Sequence, residues 1–327
     1  MILPGLTTVV RGAMLVFGLA AIFPLSTGEP RSHADPAHDY ADAVARADAI
    51  IALDARVAAP GGSSILETHG ARTPRAIVLL HGFTDSPRQF AALADSLYAE
   101  GDNVFVPRLP HHAMRGKDVS ELAKLTAQEL CDTGDEAVDI AAGLGDTVVV
   151  LGLSAGATVA AFVAEHRPEV QRAVMIAPAF EFTHAPSMLE RSIVNISEHV
   201  PNFTRRAAPE PGRPDRDPGF ATHGLAQVLR LGMTVRRDAE RLLPPSAEML
   251  FLVNAHDHTV KTAPVLDLAA RWNRHGTPVS VYEFPDSLRL PHNIVDPIQR
   301  PTNGVAVYPV LEALAHGDRV PTWVRRR

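Results

Sequence analysis

The 327-residue sequence contains a single cysteine, Cys131. One cysteine cannot form a disulfide within the chain, and it cannot supply the several thiolates of a cysteine-based zinc site. We expect Cys131 to be a small buried residue rather than a reactive thiol. The fold must therefore be stabilised by its core, and a chain of this length is long enough to bury one.

An excess of positive charge is also lacking. Lys and Arg number 31 against 37 Asp and Glu, which gives a formal net charge of −6 at pH 7. Proteins that bind nucleic acids carry basic surfaces that hold phosphates, so this balance argues against a nucleic-acid partner. Charged residues make up 21% and hydrophobic residues 46% of the chain, which is the composition of a globular protein.

The apolar run at residues 12–25 is short for a transmembrane helix, which needs about 20 apolar residues. Arg11 precedes the run and small polar residues follow it, a pattern that resembles a secretory signal without a clear cleavage site. We expect residues 1–30 to be a signal peptide or an N-terminal membrane anchor, and the protein to be exported or membrane-anchored. The alternatives are a buried N-terminal helix or a misassigned start codon, and with either the protein would be cytoplasmic.

Strand and helix patterns alternate along the rest of the chain. Continuous apolar runs at 76–80 and 147–151 are typical of strands buried on both faces of a parallel sheet. Further strands are predicted at 64–68, 103–107, 173–176, 248–253 and 279–284, and helices at 40–57, 87–100, 119–142, 158–165 and 263–274. The alternation predicts an α/β fold in which helices cover both faces of one parallel sheet.

The stretch at about 182–245 interrupts this alternation because it shows no convincing strand. Its apolar residues fall at helical spacing on either side of a proline-rich charged loop; they are Leu189, Ile193, Ile196 and Val200, then Leu225, Val228 and Leu229. We interpret the stretch as a helical insertion within one domain that spans residues 31–327.

The segment Gly152-Leu153-Ser154-Ala155-Gly156 directly follows an apolar strand and precedes a helix. A serine nucleophile must project from a tight strand-to-helix turn, and glycines two positions before and after it leave room there. The N-terminus of the helix also favours the negative charge that develops during attack. Ser154 is therefore the candidate nucleophile.

A second segment, His81-Gly82-Phe83-Thr84, directly follows the strand at 76–80. Ligands of open α/β sheets bind at the carboxyl ends of the strands, so a backbone N–H of this loop can point at an oxyanion. We predict that the N–H groups of Phe83 and Ala155 form a two-donor oxyanion hole.

The nucleophile needs a base and an acid that orients the base, and in this architecture they follow the serine in the order acid, then histidine. Asp257 follows the strand at 248–253, and His292 follows the strand at 279–284. His292 is the candidate base, and Asp257 would hold its tautomer and stabilise its cation. Other candidates remain, namely His256 and His258 for the base and Asp267 and Asp286 for the acid.

With these motifs the chain resembles α/β-hydrolases of the serine esterase, monoacylglycerol lipase and lysophospholipase-like group. The matching segments are HGFTDSP (81–87), NVFVPRLP (103–110), GLSAG (152–156) and the loops of Asp257 and His292. The resemblance implies an eight-stranded, mostly parallel sheet with a helical cap in the insertion. It also implies ester hydrolysis that needs neither a cofactor nor a metal.

One loop departs from the family pattern. The family often has Leu-Pro-Gly-His-Gly where this chain has Leu109-Pro110-His111-His112-Ala113, so we expect this loop to have a different shape. We expect His111 and His112 to be an exposed pair rather than part of a pocket. The C-terminal segment 325–327, three arginines, is expected to be a solvated tail.

The sequence thus predicts a serine hydrolase that cleaves carboxylic esters with a short or medium acyl chain, or monoacylglycerol-like lipid esters. Apolar residues of the insertion are candidates to contact the acyl chain, namely Leu189, Ile193, Val228 and Leu229. Two alternatives remain open: an acyltransferase that uses the same triad, and a non-catalytic binding protein that keeps the fold.

Overall fold

The structure, a computed structural model, describes residues 29–327 except 117, 185, 186, 188, 189, 209, 243, 247, 299 and 300, together with Gly12 and Leu15. For 198 and 301–305 it describes the backbone alone. The predicted leader at 1–30 therefore lies almost entirely outside the described residues. Within them, no helix has the length and apolar character that crossing a membrane requires.

Eight strands form one sheet. They are β1 (Ile65–Glu67), β2 (Thr73–Leu80), β3 (Asn103–Val106), β4 (Gly145–Leu153), β5 (Val170–Ile176), β8 (Glu248–Asn254), β9 (Val279–Phe284) and β10 (Arg325–Arg326). Their order across the sheet is β1-β3-β2-β4-β5-β8-β9-β10. The strands from β3 to β9 are parallel, and the outer pairs β1–β3 and β9–β10 are antiparallel. The predicted eight-stranded, mostly parallel sheet is confirmed.

Helices cover both faces of this sheet, as predicted. They are α1 (Tyr40–Val57), α2 (Ala91–Ala99), α3 (Ala127–Leu144), α4 (Ala155–His166), α5 (Glu190–His199), α6 (Thr222–Asp238), α7 (Ala263–Arg274) and α8 (Pro301–His316). The predicted helix at 119–142 is divided because Thr126 caps α3 in a capping box with Glu129, after the 3-10 turn Val119–Lys124. Helix α8 is not predicted from the sequence, because proline disfavours a helix interior and Pro309 lies inside it.

The inserted stretch at 182–245, called the cap segment below, corrects one prediction. Besides α5 and α6 it contains two short antiparallel strands, β6 (Thr204–Arg206) and β7 (Gly219–Ala221). All three residues of β6 are exposed. A strand without a buried face leaves no alternating hydrophobic pattern, so the sequence could not reveal it.

The C-terminal arginines at 325–327 are exposed, as predicted, but they are not a free tail. Arg325 pairs with Glu283 and Arg326 with Tyr282, so the last residues form the edge strand of the sheet. The guanidinium of Arg327 also donates to the Glu283 carboxylate at 2.6 Å. Backbone pairing requires no apolar side chain, which is why a run of arginines can form a strand. By contrast, Cys131 is buried as predicted.

The topology opens a crevice at the carboxyl edge of the sheet. Leu80 at the end of β2 pairs with Gly152 of β4, so the two strands end side by side. The chain leaves β2 towards β3 on one side and leaves β4 towards β5 on the other. Such a reversal separates the connecting loops and leaves space between the strand ends. The segments that begin at His81 and Ser154 border that space.

Candidate active site

Ser154 lies in a strained turn between β4 and α4. Its φ of 57° and ψ of −112° are rare for a residue with a β-carbon and cost about 1 to 3 kcal/mol. Three backbone hydrogen bonds hold the turn: Ser154 N–H donates to the carbonyl of Ile176 (2.9 Å), while its carbonyl accepts from the N–H groups of Thr158 and Ala179 (3.1 Å each). The strain is thus maintained by the surrounding sheet and helix.

The two glycines of the GLSAG segment are required by close backbone approach. A β-carbon on Gly152 would lie 2.2 Å from the carbonyl oxygen of Gly156. A β-carbon on Gly156 would lie 2.0 Å from the carbonyl oxygen of Leu80, at the end of the neighbouring strand. No side chain fits at either position, which explains the glycine spacing around Ser154.

Asp257 and His292, which come from the loops after β8 and β9, form a hydrogen-bonded pair. The imidazole Nδ1 lies 2.7 Å from Oδ2 of Asp257. The other carboxylate oxygen accepts backbone N–H groups from Thr259 at 2.7 Å and Val260 at 3.2 Å. Burial alone would raise the pKa of Asp257, but the hydrogen bond and charge of His292 and the two N–H groups hold it below its usual value. Asp257 is therefore a carboxylate at neutral pH.

The other imidazole nitrogen of His292 is available. Its Nε2 atom is buried and has no hydrogen-bond partner in the described part of the chain. His292 and Ser154 both line one cavity of about 470 Å³. Because Nδ1 is bound to the carboxylate, Nε2 is the nitrogen that can accept a proton from a group in that cavity.

A second histidine–aspartate pair involves two of the other candidates. Nδ1 of His256 lies 2.9 Å from Oδ1 of Asp286, but the Asp286 side chain is 64% exposed. His258 packs edge-on against His256, and Asp267 is exposed on α7. None of the four lines the cavity of Ser154.

The two N–H groups predicted as an oxyanion hole lie on either side of the crevice. Phe83 lines the cavity, and the preceding Gly82 is held by its N–H, which donates to the side-chain oxygen of Gln89 at 2.8 Å. Ala155 begins α4, where N–H groups have no acceptor within the helix. Among the described residues, neither the Phe83 nor the Ala155 N–H donates to a hydrogen bond.

The cavity is largely apolar, and the cap segment forms much of its wall. Its lining consists of Phe83, Thr84, Ser154, Ala179, Phe182, Arg216, Phe220, Leu225, Val228, Thr259, Pro291, His292 and Asn293. Of the cap residues predicted to contact an acyl chain, only Val228 lines it, and Leu189 lies outside the described residues. Leu229 packs against Val194 and Ala226 instead, and Ile193 is half-buried elsewhere.

Some lining residues were not singled out by the sequence analysis. Phe220 belongs to the short strand β7, and Arg216 to the proline-rich loop, where no periodic pattern indicates which side chain points inward. Within the described ranges, no cluster of three or more His, Cys, Asp or Glu side chains could hold a metal ion.

The loop after β3 corrects a further prediction. His112 is fully buried, with its ring edge-on to Phe83 at 5.2 Å between centroids, so it is not exposed. Burial lowers the pKa of His112 to about 4, which makes it neutral. His111 and Ala113 have φ of 64° and 53°. Both stand where the resembled family has glycine, so each side chain adds about 1 to 2 kcal/mol of strain.

Comparisons with known proteins agree with this architecture. The model of the alpha/beta hydrolase family matches residues 77–325. The thermostable monoacylglycerol lipase of Bacillus sp. (strain H-257) is 26% identical over 193 residues, which are 57% of this chain and 72% of that protein.

Solved structures are similar at lower identity. The monoacylglycerol lipase of Paleococcus ferrophilus has a TM-score of 0.57 and 18% identity, covering 77% of this chain and 98% of its own. A structure from the work on LipS and LipT, two metagenome-derived lipolytic enzymes, also has a TM-score of 0.57 and 18% identity, with 76% and 97% covered. At this identity the likeness is one of fold.

Proposed function

Because the chain belongs to the alpha/beta hydrolase family, we propose that it is a serine hydrolase that cleaves carboxylic esters through an acyl-enzyme. One observation carries the proposal: His292 forms a 2.7 Å pair with Asp257, keeps its Nε2 without a hydrogen-bond partner among the described residues, and lines the same cavity as Ser154. A nucleophile, a base and an oriented acid are the groups that acyl transfer requires.

In the first half of the reaction, Ser154 Oγ attacks the acyl carbon while Nε2 of His292 takes its proton. The N–H groups of Phe83 and Ala155 hold the oxyanion of the tetrahedral intermediate. The C–O bond to the alcohol then breaks, and His292 returns the proton to the departing oxygen. The acyl group remains on Ser154.

In the second half, His292 takes a proton from water, and the hydroxide attacks the acyl carbon. The acid leaves as Ser154 regains its proton. Asp257 stays ionised throughout because its pKa is held below the usual value, so it stabilises the imidazolium that forms in each half.

The cavity supports esters with a short or medium acyl chain, including monoacylglycerol-like lipids, as substrates. The cavity has a volume of about 470 Å³ and a mainly apolar wall. Three phenylalanines contribute to this wall: Phe83, Phe182 and Phe220. The similarity to a monoacylglycerol lipase points to the same chemistry. A small-molecule or lipid ester is therefore the proposed partner.

The test compares Ser154→Ala with Ser246→Ala, a buried serine whose hydroxyl donates to the Ala164 carbonyl outside the cavity. With p-nitrophenyl esters of increasing acyl length, Ser154→Ala should lose activity about 10³-fold or more, and Ser246→Ala should retain it. A fluorophosphonate should label Ser154. Equal activity of Ser154→Ala and the parent, or labelling of another serine, would contradict the proposal.

Export or membrane anchoring through residues 1–30 is a separate proposal, supported by the apolar run at 12–25. Cell fractionation should find the full chain in the membrane or outside the cell, and a chain without residues 1–30 in the cytoplasm. The same location for both chains would contradict it.

A further inference from the structure

A buried ionic cluster joins the cap segment to the body of the domain. At its centre is Arg213, from the proline-rich loop, which is 1% exposed. Its guanidinium bonds three carboxylates: Nε and Nη2 donate to Asp215 at 3.0 and 2.8 Å, Nη1 donates to Asp296, and Nη2 also donates to Asp85. These carboxylates are 1%, 1% and 2% exposed, so all four charges are removed from water.

One branch of the cluster leads to the candidate oxyanion hole. Asp85 accepts a hydrogen bond from the side-chain amide of Gln89 at 3.0 Å. The oxygen of that amide accepts the N–H of Gly82 at 2.8 Å. Gly82 directly precedes Phe83, so three consecutive hydrogen bonds connect the guanidinium of Arg213 to the backbone that orients the Phe83 N–H.

The other branch leads to the candidate base. Asp296 lies four residues after His292, and its N–H donates to the side-chain oxygen of Asn293 at 3.3 Å. The amide nitrogen of Asn293 lies 3.5 Å from Oδ2 of Asp85, which links the two branches. Asn293 follows His292 directly and lines the cavity with it.

Each charge of the cluster has an opposite charge beside it. Two further guanidinium groups lie beside the carboxylates: Arg88 is 3.2 Å from Asp215, and Arg216 is 3.6 Å from Asp85 and also bonds Glu210. Removing a single partner from such a buried group leaves an uncompensated charge and is strongly destabilising.

Two further hydrogen bonds, both accepted by backbone carbonyls, fix the same part of the cap segment. The N–H of Asp217 donates to the carbonyl of Thr84 at 3.0 Å, and Arg88 donates to the carbonyl of Gly212 at 3.1 Å. The loop that carries Arg213 is therefore bonded, on both sides of the arginine, to the segment 84–88 that follows Phe83.

We propose, on the basis of the function proposed above, that Arg213 is a positioning residue that fixes the Phe83 N–H and the His292 imidazole relative to each other. The planar guanidinium presents donors in fixed directions, and here Nη2 bonds the Phe83 loop while Nη1 bonds the His292 loop. The ammonium of a lysine keeps the charge but lacks this fixed geometry.

The chain offers a matched control in Arg167. Its side chain is 1% exposed and pairs with three carboxylates, those of Asp135, Asp139 and Glu169. It follows α4, whose 12 residues place it about 18 Å from Ser154. Its replacement disturbs a buried cluster of the same kind at the far end of the helix.

The experiment compares Arg213→Lys and Arg213→Gln with Arg167→Lys and Arg167→Gln. Melting temperature, kcat, KM and the rate of fluorophosphonate labelling are measured at a temperature where every variant is folded. All four should melt earlier than the parent. Only the Arg213 variants should lose kcat, by about tenfold or more, with KM nearly unchanged and slower labelling of Ser154.

Compared with Arg213→Gln, Arg213→Lys should recover more of the parent's melting temperature than of its kcat. Lysine replaces the charge of the guanidinium but not its geometry. If the kcat of Arg213→Lys equals that of Arg167→Lys, the positioning role is overturned. If Ser154→Ala itself remains active, the proposed function fails instead, so the two failures can be distinguished.

If the Arg213 variants do not fold, variants that keep the shape of the replaced side chain provide the same comparison. Asp296→Asn removes one charge on the His292 branch, and Asp135→Asn removes one from the Arg167 cluster. A lower kcat for Asp296→Asn alone supports the positioning role, and an equal kcat for both variants overturns it.

Discussion

Gly156 faces the carbonyl oxygen of Leu80 so closely that a β-carbon on the glycine would lie 2.0 Å from that oxygen. The first turn of α4 therefore packs directly on the carboxyl end of β2. This close approach is what brings Ser154, which precedes α4, beside the loop that starts at His81. A glycine at position 156 is thus required for Ser154 and the loop that starts at His81 to lie side by side.

The first prediction concerns this contact. Gly156→Ala should destabilise the protein by several kcal/mol or prevent folding, because two backbone segments would have to separate. Gly82→Ala is the control, since a β-carbon there meets nothing closer than 3.7 Å. Urea unfolding should show a much smaller loss for Gly82→Ala. Similar unfolding midpoints for the two variants would contradict this packing of α4 on β2.

A second prediction separates the two histidine–aspartate pairs. Asp257→Asn should lower kcat about 10³- to 10⁴-fold, because the imidazole loses the anion that holds its tautomer and stabilises its cation. Asp286→Asn removes the carboxylate that pairs with His256 and should leave kcat nearly unchanged. Steady-state kinetics with a p-nitrophenyl ester measures both. The reverse order of effects would assign the base to His256.

A third prediction concerns pH. Burial, together with the nearby charges of Asp85 and Asp215, raises the pKa of Asp217 to about 7. In the unfolded chain its pKa is near 4, so between these values the native state holds a proton that the unfolded state has lost. Stability should therefore fall as the pH rises from about 4 to about 7.

Asp217→Asn removes this titration and keeps the shape of the side chain. The variant should match the parent near pH 4 and exceed its free energy of unfolding by about 1 to 4 kcal/mol at pH 8. Denaturant titrations at several pH values measure the difference, with the exposed Asp286→Asn as the control. A difference between Asp217→Asn and the parent that does not grow with pH would show that Asp217 is ionised in the native protein.

A fourth prediction concerns substrate length. Leu225 of α6 lines the cavity, so Leu225→Trp should fill part of its volume and shift the preferred p-nitrophenyl ester to a shorter acyl chain. Leu53→Trp makes the same exchange on α1, where the side chain is 60% exposed, and should leave the preference unchanged. An unaltered preference in Leu225→Trp would place the acyl chain elsewhere.

Local patterns were enough to predict much of the fold. The apolar runs that became β2 and β4 are buried on both faces, so hydrophobicity alone indicates them. The spacing of glycines around Ser154 likewise reflects a local turn. By contrast, β6 and β10 are exposed strands held by backbone pairing, which leaves no pattern in the side chains.

His112 and Arg213 show a second limit. Both are polar residues in loops, and polar loop residues are usually exposed. Here His112 is buried because its ring packs on Phe83. Arg213 is buried because two carboxylates from distant parts of the chain, Asp85 and Asp296, bond it together with the nearby Asp215. Burial of this kind depends on partners that sequence proximity does not reveal.

The sequence by itself therefore determined the sheet, its alternation with helices and the glycine-flanked turn of Ser154, because each depends on periodicity or on steric limits within a few residues. Only the tertiary structure decided that His292 pairs with Asp257 rather than another acid, that Phe220 and Leu225 line the cavity, and that Arg213 connects three loops. These contacts join residues far apart in the chain, and the path of the backbone through the whole sheet and cap segment sets their distances.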